Sequence, residues 1–149
     1  MRIIMSNLLD TKALEKHVRS EYSKVIPVME EDGISRSLDT VFRENTPSDF
    51  QGEFCFTDEN GYHFRVLERG TLYHDDITRN LTEITYWAIV GEIAGASAIY
   101  EAKNRIPNQD FRRVMFAKRL QYFESIHPEY ALRARTEIGI ILNKAPFRD

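Results

Sequence analysis

A carboxylate set in an apolar helical run is the residue best placed for chemistry in this sequence. Glu92 lies within ITRNLTEITYWAIVGEIAGASAIYEAKNR, and its neighbours at helical spacing are Ala88, Ile89, Ala96 and Ile99. A carboxylate buried alone among such residues is costly, so it requires a cation or a hydrogen-bond donor. Arg112 and Arg119 fall on one line of the following helix, within its apolar arc, and are the expected partners. The pair would then fix how two helices register. The competing reading is a catalytic carboxylate with a displaced pKa. The run beside Glu92 offers no nucleophile and no second carboxylate, which favours the ion pair.

The other reactive side chains are scattered. His17, His63, His74 and His127 lie on four separate segments without metal-ligand spacing. His74-Asp75-Asp76 is the nearest approach to a cluster, but consecutive strand residues point to opposite faces. Cys55 is the only cysteine, which excludes an internal disulfide and fits a reducing compartment. As a strand residue it reads as structural, with Arg65 as cross-strand neighbour and His63 close by. No glycine-rich phosphate loop and no nucleophile elbow occurs. Arg112, Arg113, Lys118, Arg119, Arg133 and Arg135 do not form a single basic stripe, so nucleic acid is not an expected partner. No catalytic, metal-binding or cofactor-binding set emerges.

The 149 residues suit one domain, and a composition 42% hydrophobic and 29% charged is that of an ordinary folded protein. The net charge of −3 is unevenly spread: residues 1–76 carry 15 acids and 9 bases, and residues 77–149 carry 8 acids and 11 bases. An acidic first half suits a basic partner. The first residues lack a long apolar stretch with a cleavage site, and Glu92 and Glu101 interrupt the apolar run. The expectation is therefore a cytoplasmic chain without a membrane span.

The elements that must position these residues predict an α+β chain, mostly α. Asp10 caps a first helix whose stripe is Leu14, Val18, Tyr22 and Val25, and Leu9 and Leu14 have the spacing of a hydrophobic staple. A short helix is expected over 35–43, burying Leu38, Val41 and Phe42, and 44–51 reads as loop. A three-stranded antiparallel meander follows at about 53–57, 62–67 and 71–74. Three-residue loops ending in Gly61 and Gly70 would pair Phe56 with Phe64 and Phe54 with Val66 and set Leu72 opposite Val66. That register gathers Phe54, Phe56, Phe64, Val66 and Leu72 on one inward face. Cys55, His63, Arg65 and Tyr73 would point outward. A central helix over about 78–104 covers this face. Its stripe of Ala88, Gly91, Gly95, Ala98 and Ala102 reads as a close-packing seam for the last two helices, about 109–126 and 129–143. Asn108 caps the first of these, and His127-Pro128 separates them. Ala131, Ala134, Ile138, Ile141 and Leu142 form the face of the last helix.

From Tyr62 onward the chain resembles bacterial immunity proteins of polymorphic-toxin and contact-dependent growth-inhibition systems. The resemblance rests on the Tyr62–Val66 strand, the helix around Thr85-Tyr86-Trp87, Asp110-Phe111-Arg112-Arg113 and the closing Pro146-Phe147-Arg148-Asp149. It covers about residues 62–149. It implies a small cytoplasmic protein that binds the C-terminal domain of a cognate toxin, often a nuclease, and blocks it by occlusion without a cofactor. The acidic residues Asp58, Glu59, Asp75 and Asp76, with outward Tyr73, are then the candidate partner-binding set. Two other readings stay open: a small-molecule enzyme built on Glu92, and a nucleic-acid-binding regulatory module.

Overall fold

The computed structural model describes residues 7–44 and 50–149. Among them the chain runs through α1 (Thr11–Ser23), α2 (Ile26–Glu31), β1 (Val41–Phe42), β2 (Gly52–Asp58), β3 (Gly61–Glu68), β4 (Thr71–Thr78), α3 (Leu81–Lys103), α4 (Phe111–Ile126) and α5 (Pro128–Lys144). This is an α+β architecture in two compact units. One unit takes the chain up to Ser20 together with Leu38–Val90. The other takes Glu21–Ser37 with Gly91–Asp149.

In the first unit, Asp10 caps α1 by accepting the Ala13 N–H at 2.8 Å. The sheet has four strands in the order β1-β2-β3-β4, with β1 parallel to β2 and the rest antiparallel. The expected three-stranded meander therefore gains a fourth strand and becomes mixed. β1 falls where a helix was expected over 35–43. β-branched Thr40 and Val41 favour extension there. Two donors also hold the segment, because Thr40 Oγ1 donates to the Ala88 carbonyl at 3.0 Å and Arg19 donates to the Leu38 and Thr40 carbonyls. The expected loop over 44–51 lies largely outside the described residues.

The strand register also differs from the expectation. β2 and β3 turn through Glu59-Asn60, with Asp58 opposite Gly61. Gly61 is needed for a close approach: a Cβ there would lie 2.8 Å from the Thr78 carbonyl of β4. Phe56 consequently faces His63, Phe54 faces Arg65, and Cys55 faces Phe64. The aromatics divide between both faces. Phe64 meets Trp87 of α3 at a ring separation of 6.5 Å, and Cys55, expected outward, is buried on that same face. Phe54 and Phe56 occupy the other face with His63 and Arg65. The expectation required one apolar face; instead, amphipathic side chains lie over the second row of rings.

β3 and β4 turn through Arg69-Gly70, both in the left-handed region (φ 51° and 78°), as a two-residue hairpin loop requires. A β-bulge at Tyr73 then sets Leu72 opposite Leu67 and His74 opposite Val66. β4 continues to Thr78, beyond its expected end, so α3 starts at Leu81 behind Asn80, whose Oδ1 accepts the Glu83 N–H at 2.9 Å.

In the second unit, Tyr22, Val25 and Met29 join a core of Ile93, Phe116, Tyr122, Phe123, Ile126, Ala131 and Ala134. Asp110, not Asn108, caps α4 by accepting the Arg112 N–H at 2.9 Å. His127 ends α4 in an extended conformation and caps α5, its Nδ1 accepting the Glu129 N–H. Ile138 of the expected α5 face is buried, whereas Ile141 is exposed.

The small residues of α3 do not form the expected seam. Gly91, Ala98 and Ala102 are exposed, and the buried line runs through Ile93, Ala96 and Ser97. Gly95 has a different purpose. A Cβ at this position would collide with the guanidinium of Arg36, which donates from Nε to Glu92 Oε1 at 2.8 Å. The glycine is a notch that admits a cation to a carboxylate three residues earlier on the helix. Gly95→Ala must push the flexible end of Arg36 away from Glu92, so its helix-propensity gain of about 1 kcal/mol should be largely offset in the parent. In an Arg36→Ala background the same change should show the full gain. Chemical denaturation of the four proteins reads this difference.

Candidate partner-binding site

The acidic candidates cluster on the first unit. Asp58 ends β2, and its Oδ1 accepts both the Asn60 N–H and His63 Nε2 at 2.8 Å. Burial pushes the Asp58 carboxyl up, but the His63 hydrogen bond and the turn N–H groups outweigh it and hold the group below its ordinary value. The His63 ring is buried and stacked on Phe56, with centroids 4.3 Å apart and planes within 6°. Its Nδ1 lies 3.8 Å from Asp75 Oδ1. Asp75 in turn accepts from Arg65 Nε at 2.9 Å, and the Arg65 guanidinium lies 5.0 Å from the Phe56 ring. Asp58, His63, Asp75 and Arg65 thus form a connected row of polar groups beside the Phe56 ring.

This face can present fixed charge and an aromatic platform. It brings no nucleophile to His63, because Cys55 and Thr57 belong to the opposite face. Burial first, and then the neighbouring Glu53 carboxylate, push the Cys55 thiol far up, so it stays protonated. Among the described residues, no group of three His, Cys, Asp or Glu side chains could hold a metal ion. Of the remaining candidates, Glu59 is exposed in the turn and Tyr73 is 61% exposed at the bulge. Asp76 is exposed on the face opposite Asp75, beside His74.

Of the two cations expected beside Glu92, Arg112 lies elsewhere. Glu92 pairs with Arg36 at 2.8 Å, from a non-helical segment that a comparison of helices alone could not supply. Arg119 lies with its guanidinium 5.3 Å from the Phe116 ring. Arg112 is committed elsewhere: it pairs with Asp110 at 2.8 Å and donates to the Ala145 and Pro146 carbonyls, each at 2.8 Å. The two short motifs Asp110-Phe111-Arg112-Arg113 and Pro146-Phe147-Arg148-Asp149 bind each other.

Asp110 Oδ2 accepts the Arg148 N–H, and Asp149 Oδ1 accepts the Asp110 N–H, each at 2.8 Å. Arg113 pairs with Asp149, and Phe147 lies beneath both guanidinium groups, 4.1 Å from that of Arg113. Hydrogen bonds from the Arg112 side chain, then from the Arg112 and Arg148 N–H groups, hold the Asp110 carboxyl well below the usual carboxylate range. Arg113 lowers Asp149 likewise, assisted by the Asp110 N–H.

Sequence reasoning missed one further cluster. Asp32 Oδ2 accepts from Lys118 Nζ at 3.1 Å and from Tyr122 OH at 2.8 Å, and Nζ also sits 3.9 Å from the centre of the Tyr100 ring. Burial, then Asp32, push the Tyr122 hydroxyl up. The i, i+4 spacing of Lys118 and Tyr122 was a legible signal. Asp32, in a turn far upstream, was not.

Residues 58–139 match the family model of Immunity protein 63. The match covers more than half of the chain, which belongs to this family and is an immunity protein of a toxin system. Such proteins are generally non-enzymatic, and the family implies a cognate toxin as partner. The match contains the Asp110–Arg113 motif but stops before Pro146–Asp149. No curated protein and no solved structure matches the chain. Among the described residues, no helix is long and apolar enough to cross a membrane.

Two outcomes follow from these geometries. Cys55 should resist a thiol reagent such as dithionitrobenzoate in the native protein and react fully in denaturant; rapid native reaction would contradict its burial. Asp110 and Asp149, the carboxylates of this clasp between the start of α4 and the closing residues, have folded values below the ordinary 3.8, so their stabilisation is complete above that pH and is lost as pH falls through the folded values. Asp110→Asn should lower the melting temperature at pH 7. Its difference from the parent should shrink steadily in melts between pH 4 and pH 2.

Proposed function

We propose that this immunity protein binds the C-terminal toxic domain of a cognate contact-dependent or polymorphic toxin in the cytoplasm and neutralises it by occlusion. The carrying observation is the family match, which takes in the Asp58 turn and the whole of exposed β4. The reading uses no cofactor and no catalytic residue. Asp58, Glu59, Tyr73, Asp75 and Asp76 form its contact set. Asp58 and Asp75 are held by His63 and Arg65, so their charge is displayed at fixed positions. Glu59 and Asp76 are exposed acids whose carboxylates have no arginine partner among the described residues, and they steer a basic surface. A nuclease domain suits this polarity, since a surface that holds nucleic acid is basic. Glu92, engaged by Arg36, serves stability in this reading.

The decisive experiment is co-expression with the toxin domain encoded immediately upstream. Growth should be rescued; failure to rescue sinks the reading. Reversal of the exposed acids, Glu59→Lys with Asp76→Lys, should slow association with that domain roughly tenfold at low salt, and the gap should narrow as salt is raised. Stopped-flow binding at two ionic strengths measures it. An unchanged rate would remove these acids from the contact set and leave immunity itself intact.

A further inference from the structure

Among the described residues, β4 lies at the edge of the four-stranded order and is exposed from Thr71 to Ile77. The outer side of an edge strand presents backbone N–H and C=O groups ready to pair with another chain, and proteins blunt such edges with short length, charged side chains, proline or a bulge. The only charges of β4 at neutral pH are the acids Asp75 and Asp76, which bar an acidic strand and admit a basic one. β4 has eight residues, Thr71–Thr78, without lysine or proline. Its bulge sits at Tyr73, so His74–Thr78 remains a regular ladder. The side chains are sorted by face. Leu72 and Ile77, 45% and 49% exposed, share the Arg65 face with Asp75, whereas His74 and Asp76 lie on the other.

We propose that the toxin domain docks here by strand addition: an extended segment pairs with β4 as a further strand of the sheet. This rests on the immunity reading above. Main-chain hydrogen bonds would supply affinity and the two faces would supply selectivity. The incoming strand carries apolar side chains over Leu72 and Ile77, and a lysine or arginine facing Asp76. Charge argues against a second copy as occupant. Two-fold antiparallel pairing of β4 with itself about its midpoint would set Asp75 of each copy diagonally across from Asp76 of the other on one face, bringing like charges together. A basic strand relieves this acidity.

Hydrogen exchange on the full chain, alone and bound to the C-terminal domain of the toxin encoded next to it, tests the proposal. Alternate amides between His74 and Thr78 should slow at least about tenfold on binding. Leu72→Lys with Ile77→Lys should weaken binding roughly tenfold or more, with the melting of the free chain unchanged. If that pair of changes impairs folding, Asp76→Lys alone should weaken binding through charge. A complex that leaves β4 exchange unaltered overturns strand addition while immunity stands, and absence of any complex overturns both. A free chain that dimerises with these amides protected assigns the edge to a second copy and overturns the toxin strand.

Discussion

The carboxylate of Asp58 closes the β2–β3 turn and thereby sets the register of the first unit. It accepts the Asn60 N–H and so favours a two-residue turn over a longer loop. One residue of slip would exchange the faces of every side chain on a strand. In the observed register His63 falls opposite Phe56 and within reach of Asp58 itself, so the residue that shapes the turn also orients the imidazole. The orientation of Asp75 and Arg65 over the same ring depends on that placement. The exposed chemistry of the sheet thus follows from one turn.

The second unit relies on polar contacts made by short segments outside its helices. Arg36 reaches Glu92, Asp32 reaches Lys118 and Tyr122, and the closing residues fold over the start of α4. Each contact ties a non-helical segment to a helix. Each acid is met by a cation or a hydroxyl, which limits the cost of removing it from water. The clasp also explains why two short motifs, far apart in sequence and without catalytic logic, would occur together. They are halves of one structural device, and neither half finds its partners alone.

Local signals were legible in the sequence, and contacts between distant segments were not. Asp10, the Leu14–Val25 stripe and the His127-Pro128 junction declared themselves through capping and periodicity. The α+β class followed from the alternation of runs. The sheet register was misread because a single apolar face was assumed, although histidine and arginine can cover a ring as well as a helix can. The 35–43 helix was misread because Thr40 takes its partner from Ala88, far along the chain. The acidic candidates were visible as composition. The anchoring of Asp58 by His63 and of Asp75 by Arg65 required the fold.

The notch at Gly95 binds three positions into one heritable unit. A relative that lost Arg36 would leave Glu92 without this cation and remove the reason for a glycine inside a helix, and alanine would then be the better residue at 95. Substitutions at 36, 92 and 95 should consequently travel together through the lineage. Their joint pattern would distinguish members that share this second unit from members that share only the exposed sheet.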